Sequence, residues 1–411
     1  MKSSRKFVSA ILSLGLIVSG FSGCGSAPSA SQAPSGDGSS GASQTSASAS
    51  AKTVVTYWNG FTGADGEILK QIVSEYNKAN KMNVEIKMDI MPWDSLYQKL
   101  STTLPVNQGP DIIAFNTERI GTYAKPGTLA VIDDIYGKDG IDSSKIPQAL
   151  NENLKFEGKY YGVPQNFATL LLYYNKDLFK AAGLDPEKPP KTWDELADDA
   201  KRLSKTVNGQ QQYGFGMATN NTIPMWPIMI WAGGGDFISN GKSVFNSKEN
   251  IATVTKWATL IRDDKIAPPS LTGAEIDKLF ESQKLAMYFC GPWATGTFDK
   301  AHVNYGLAEP PAGPAGQATL GTSVAMVMTK SSQHKDQVYD FFKYWNGADA
   351  QVNWCLGMGY PPTRTDLGSD ARLQKNPNIA KFSSASNYTH FYLQQLTNFD
   401  QMIEYNKVCN L

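Results

Sequence analysis

Between Asn83 and Ile90 apolar and polar residues alternate, with Val84, Ile86, Met88 and Ile90 on one side, which is the period of a strand. Upstream, Ile68, Leu69, Ile72, Val73 and Tyr76 recur at helical spacing, and Val54 to Trp58 reads as a strand before them. The opening is therefore strand, helix, strand. Trp93, Tyr97, Leu100 and Leu104 predict a second helix, Gly109-Pro110 a turn, and Asp111 to Phe115 a short apolar strand. The sheet is expected to be parallel and buried on both faces. Further on, Thr192 and Glu195 form a capping-box pattern before a helix carrying Leu196, Ala200 and Leu203. Val338, Phe341, Phe342 and Trp345 mark another amphipathic helix. Strands and helices alternate in both halves, so the fold class is α/β, with ligands expected in a crevice at the carboxyl ends of strands.

The chain of 411 residues changes character near residue 52. Lys2, Arg5 and Lys6 precede an apolar run from Phe7 to Val18, and small residues follow up to Cys24, the pattern of a secretory signal. The run is 12 residues long, short of the ~20 that a membrane-spanning helix needs. Ser22, Gly23 and Cys24 resemble the end of a bacterial lipobox, with Phe21 where Leu is usual, so Cys24 is the expected lipidation site. The alternative is ordinary cleavage nearby that leaves Cys24 unmodified. Residues 24–52 are almost entirely Ser, Ala and Gly, a composition that buries no apolar surface and predicts a flexible tether.

The remaining stretch exceeds what one core usually supports, and two lobes are expected. Removing Lys2, Arg5, Lys6 and Asp37 from 38 basic and 38 acidic residues leaves 35 and 37, a formal charge of minus two. That balance gives nucleic acid nothing to bind. Cys290, Cys355 and Cys409 are widely spaced with no CxxC, and they read as buried small hydrophobes.

Catalytic and cofactor motifs are not found. His302, His334 and His390 stand far apart, outside any HExxH or HxH setting, so no metal is expected. The stretch from Asp236 to Ser243 approaches a phosphate-binding loop, but Gly235 is one position too early, and a hairpin turn at Asn240-Gly241 is the better use. No GxSxG or GxGxxG occurs, and Asp133 beside Asp134 reads as solvated charge. No catalytic residue and no cofactor are expected. Aromatic residues beside turn glycines are present instead: Trp58 before Asn59-Gly60, Trp226 and Trp231 before Gly233-Gly234-Gly235, Trp293 after Gly291-Pro292, and Tyr360 before Pro361-Pro362. An aromatic face suits the C–H face of a sugar ring, while amides, hydroxyls and Arg suit its hydroxyls. Taken singly each tryptophan reads as core, and their joint placement at turns is what points to binding.

Six segments resemble the extracellular solute-binding proteins of ABC importers, in the family of the maltose-binding and glycerol-3-phosphate-binding proteins. They are YWNGFTG (Tyr57 to Gly63), GPDI (Gly109 to Ile112), YYNKDLFKAAGLDPEKPPKTWDEL (Tyr173 to Leu196), WAGGGDF (Trp231 to Phe237), LAMYFCGPW (Leu285 to Trp293) and GYPPTR (Gly359 to Arg364). The resemblance implies a two-lobed, periplasmic-binding-protein-like flytrap with mixed, mostly parallel sheets and crossing hinge strands. By its pattern one lobe takes residues 53–165 and 307–347 and the other 166–306 and 348–411. It implies ligand contacts from Asn59, Phe61 and Thr62 in the first loop, beside the candidate Trp58, and from Glu118 and Arg119 after GPDI. Further contacts are implied for Asn221, Trp226, Trp293, Thr322 and Tyr360, and Asn166, Trp231 and Arg364 are further candidate ligand-binding residues.

Ala168 stands where maltose binders carry a carboxylate and Phe61 replaces a polar residue, which argues against maltose itself, while Trp293 favours sugar over glycerol phosphate. The family continues with closing helices beyond Leu411, so the second lobe is expected to be truncated at its C-terminus. The implied function is a monomeric, lipid-anchored, extracytoplasmic protein that captures a sugar or oligosaccharide and passes it to membrane permease subunits. Alternatives are a secreted carbohydrate-active enzyme, a binder of glycerol-3-phosphate or another polyol, and a carrier that docks on a sensor.

Overall fold

The computed structural model describes residues 51–218, 225–239, 242–268 and 270–391. The first strand, β1 (Thr53–Asn59), leads through helix α1 (Ala64–Ala79) to β2 (Val84–Ile90), and β1 and β2 pair in parallel from Thr53↔Val84 to Asn59↔Ile90. Helix α1 buries Leu69, Ile72, Val73 and Tyr76, the face its apolar spacing predicts, and carries Asp65 and Glu67 in its first turn, where the helix dipole favours acids. Helix α2 (Trp93–Thr103) returns the chain to β3 (Ile112–Asn116), which lies parallel to β1.

Strand β4 (Gly162–Thr169) is followed after only Leu170 by β5 (Leu171–Asn175), yet the two belong to different sheets. From β5 the chain builds the second sheet. Helix α3 (Trp193–Leu203) starts at Thr192, whose side chain accepts from the Glu195 amide, as the capping-box pattern anticipates. Strands β6 (Lys205–Val207) and β7 (Gln210–Gly216) follow, then helices α4 (Pro227–Ala232), α5 (Lys248–Arg262) and α6 (Gly273–Glu281). Strand β8 (Leu285–Cys290) is buried at every position and β9 (Tyr305–Ala308) pairs with β5, giving the order β9-β5-β8-β7-β6. Between α4 and α5, Ile238–Ser239 pairs antiparallel with Lys242–Ser243, while the turn residues Asn240 and Gly241 lie outside the described residues.

Strand β10 (Thr319–Met328) then re-enters the first sheet, antiparallel to both β3 and β4 and buried along its whole length. Helices α7 (Lys335–Trp345) and α8 (Ala348–Met358) follow, and β11 (Thr389–Phe391) joins β10, so the order is β11-β10-β3-β1-β2 with β4 on β10. Helix α7 buries Val338, Phe341, Phe342 and Trp345, as its apolar spacing predicts. Helix α8, which the family pattern assigns to the second lobe, puts Trp354 and Met358 into the core of the first.

Each sheet has its own hydrophobic core. The sheets are mixed, as expected, but parallel pairing prevails only in the first: in the second, β5 is antiparallel to β8 and β9, and β6 is antiparallel to β7. The reason is topological. The chain leaves the first sheet through β4 and β5 and returns through β9 and β10, so outgoing and returning strands run in opposite directions in both sheets. At the crossing the Thr319 hydroxyl donates to the Leu170 carbonyl (2.6 Å), tying the two connections together.

Candidate functional site

Residues from both sheets line one cavity of about 320 Å³. From the first core come the loop Gly60–Gly63, Asp65, Trp93, Tyr97, Asn116, Arg119, Asn166, Thr322 and Tyr360; from the second come Met225, Ile276, Asp277, Cys290, Ala294 and Phe298. Trp293 stands between them, half-buried and packed against both cores.

Two tryptophans depend on glycine. A Cβ at residue 291 would fall 1.9 Å from the Trp293 ring, and one at residue 60 would fall 2.0 Å from the Trp93 ring. Each indole thus lies directly against a backbone that only glycine leaves open. Trp93 also meets Phe61 edge-on (5.3 Å between centroids) and stacks with Tyr97 (5.9 Å). Phe61 in turn meets Trp354 edge-on (5.5 Å), which anchors the loop in the first core.

Polar groups on the same wall form a chain. The Tyr97 hydroxyl donates to Asn116 Oδ1 (2.7 Å), the Asn116 amide donates to Thr322 Oγ1 (3.4 Å), and the Arg119 guanidinium lies 3.8 Å from the centre of the Tyr97 ring. Asn166 Oδ1 accepts from the Val324 amide (3.1 Å), leaving its own NH₂ group available as a donor. On the opposite wall Asp277, on α6, accepts from the Tyr288 hydroxyl (2.9 Å) and the Cys290 thiol (3.8 Å). Burial pushes the Asp277 carboxyl up to about 6, and the negative charge of Asp65 adds to that rise. Asp65 is 9% exposed, its Oδ1 accepts from the amides of Gly63 (3.0 Å) and Gly66 (2.8 Å), and burial likewise pushes its carboxyl up to about 6. Burial pushes the Cys290 thiol well above its ordinary range, so it stays protonated.

Of the residues singled out in the sequence, Phe61, Thr62, Arg119, Asn166, Trp293, Thr322 and Tyr360 line this cavity. Others do not. Trp58 is buried in the first core with the Lys99 ammonium 3.4 Å from its ring centre. Asn59 is fully buried and accepts from the Phe61 amide (3.3 Å), shaping the loop from behind. Glu118 is buried with Oε1 lacking a partner among the described residues, and desolvation pushes its carboxyl up to about 7. Trp226 packs edge-on against Phe237 and Phe245, and Trp231 stacks on His390 (4.8 Å). Arg364 donates to Asp366 (2.7 Å) and to the Asn346 carbonyl (2.8 Å). Asn221 and Cys24 lie outside the described residues. Sequence reasoning passed over Trp93, Tyr97, Asn116, Asp65 and Asp277. Trp93 and Tyr97 read there only as the apolar face of α2, and Gly60 was the one local hint that an indole would approach.

The sequence profile of the family described as bacterial extracellular solute-binding protein matches residues 71–381. A binding protein of Brucella abortus (strain 2308) is 26% identical over 346 residues, covering 79% of this chain and 82% of its own. An sn-glycerol-3-phosphate-binding periplasmic protein of Brucella melitensis is 26% identical over 353 residues, covering 80% and 79%. Among solved structures, an ABC transporter solute-binding protein from Thermotoga lettingae bound with α-D-tagatose superposes with a TM-score of 0.78 at 23% identity, covering 87% of this chain and 93% of its own. Two sheets with separate cores, joined by closely spaced crossing strands over one shared cavity, are what that fold requires, and this chain belongs to the bacterial extracellular solute-binding proteins.

Proposed function

We propose that the protein is the substrate-binding component of an ABC importer, and that it captures a sugar or oligosaccharide in the cavity and delivers it to the permease without changing it chemically. The observation that carries this reading is Trp293, an indole laid against Gly291, packed on both cores and lining the cavity. Such a platform stacks on the apolar face of a sugar ring, and Asn116, Arg119, Asn166 and Thr322 supply donors and acceptors for hydroxyls. The solved Thermotoga lettingae relative holds a sugar, which agrees with this chemistry. A phosphorylated ligand, as named for the Brucella melitensis relative, fits less well, because Asp65, Asp94 and Asp277 outnumber Arg119 among the charged lining residues. In the same proposal the mature protein is a monomer outside the cytoplasm, held to the membrane by lipid on Cys24 and a tether ending near residue 52.

A thermal-shift screen of the purified protein against neutral mono-, di- and oligosaccharides and glycerol phosphates tests the ligand class. Ligand present at a hundred times its Kd stabilises the folded state by about 2.7 kcal/mol, enough to read. Stabilisation by a saccharide with no product after prolonged incubation is expected. Stabilisation by glycerol phosphate alone, or hydrolysis of the saccharide, overturns the proposal.

A further inference from the structure

Tyr97 lines the cavity, yet its ring and its hydroxyl are both engaged by protein groups. It stands one turn after Trp93 on α2, with the two rings 5.9 Å apart and 25° from parallel. The Arg119 guanidinium lies 3.8 Å from the centre of the Tyr97 ring, the geometry of a cation over an aromatic face. The hydroxyl donates to Asn116 Oδ1 (2.7 Å), and the Asn116 amide donates in turn to Thr322 Oγ1 on β10 (3.4 Å). One side chain of α2 thus meets the last residue of β3 and the turn Thr117–Arg119 that follows it. Asn116 and Arg119 line the cavity as well. A ring face that carries a guanidinium is not open to a sugar, so Tyr97 differs from Trp293 in what it can do.

Both of its polar neighbours need holding. A guanidinium on a long stem has many rotamers, and a primary amide has two orientations that exchange donor for acceptor. Left loose, each would lose that freedom only when a ligand arrives, at a cost to affinity. We propose that Tyr97 is a positioning residue of the binding site: its ring face holds the Arg119 guanidinium and its hydroxyl fixes the Asn116 amide, so that both present donors before a ligand binds. With Oδ1 accepting from Tyr97, the Asn116 NH₂ group is turned toward Thr322, and its second N–H has no acceptor among the described residues. Each side chain held in place beforehand contributes about two- to tenfold in Kd. This inference rests on the saccharide reading of the cavity and deepens it.

The test compares Tyr97→Phe, which keeps the ring and loses the hydroxyl, with Tyr97→Leu, which loses both. D-tagatose, cellobiose and mannotriose, with any further saccharide that stabilises the protein in the thermal-shift screen, are titrated calorimetrically into the whole protein. Tyr97→Phe is expected to weaken every saccharide that binds by about two- to tenfold, and Tyr97→Leu by about ten- to a hundredfold. In an Asn116→Ala background Tyr97→Phe should cost nothing further, because the amide that the hydroxyl orients is gone. A role in packing alone would lower the melting temperature of Tyr97→Phe and leave its affinity unchanged, and that result overturns the inference. So does an equal loss from Tyr97→Phe with Asn116 present or replaced, which would mean that the hydroxyl meets the saccharide directly. Equal losses in Tyr97→Phe and Tyr97→Leu overturn it too, since the ring then does nothing for Arg119. Should Tyr97→Leu fail to fold, the cycle with Asn116 decides alone. Each of these outcomes leaves the saccharide reading standing, whereas binding of no saccharide, here or in the wider screen, overturns both.

Discussion

Trp293 follows Gly291-Pro292 at the end of β8, where the chain turns from the second core toward the cavity, and its indole touches both cores. Stacking adds on the order of 0.5–1.5 kcal/mol beyond buried area, and the area itself about 1.5–3. Trp293→Ala should therefore weaken ligand binding by about 2–4 kcal/mol, or roughly thirty to several hundred fold in Kd. Calorimetry and a melt on the same variant check it: a large fall in melting temperature with unchanged affinity would make the indole packing alone. Asp65 makes a prediction of opposite sense. Its carboxyl, raised from 3.8 to about 6 by burial, holds a proton more tightly in the folded than in the unfolded chain. Between those values the folded state binds more protons, so this group's contribution to stability falls as pH rises through the window, and above about 6 the full penalty is present. Asp65→Asn should raise the melting temperature by about 2 °C at pH 7.5 and make little difference near pH 4; melts across that range read both.

The loop from Asn59 to Gly63 and the first turn of α2 act as one element, because Gly60 lets the Trp93 indole lie against the backbone. Gly60→Ala puts a methyl where the ring stands, so Trp93 has to move. Overpacking of this kind destabilises by about 1–3 kcal/mol. Stability and affinity should fall together in Gly60→Ala, and adding the same substitution to Trp93→Ala should lower stability little further. Denaturant melts of the two single variants and the double variant close that cycle, and additive losses would contradict the contact. Several helices and strands were readable from the chain. The alternation in β2, the helical spacing in α1 and α7, and the Thr192 cap all depend on residues a few positions apart. The mostly parallel expectation does not hold in the second sheet, where β5 and β9 run in opposite directions as outgoing and returning crossing strands and β6 and β7 form a local hairpin.

At the scale of the whole molecule, the proposed lipidation of Cys24 and the proposed tether would separate attachment from binding. Cys24→Ser should release mature protein into the medium with ligand affinity unchanged; fractionation and calorimetry on the released protein check both, and unchanged membrane retention would count against lipidation. A diacylglyceryl group suits this role because a single acyl chain anchors only marginally. By itself the sequence determined the α/β class, several elements of the first sheet and, through the motifs from Tyr57 to Arg364, the family, since each is written in short runs of neighbouring residues. Membership of the cavity was decided only by tertiary structure. Trp58 and Trp231 sit beside turn glycines as Trp293 does, yet Lys99 and His390 cover their rings. Asp65 and Asp277 look like ordinary helix carboxylates until the crossing strands bring α1 and α6 to one space. Burial and charge at such a point are properties of packing between segments far apart in the chain, and their physical cause, exclusion of water by both cores at once, exists only after the chain has folded.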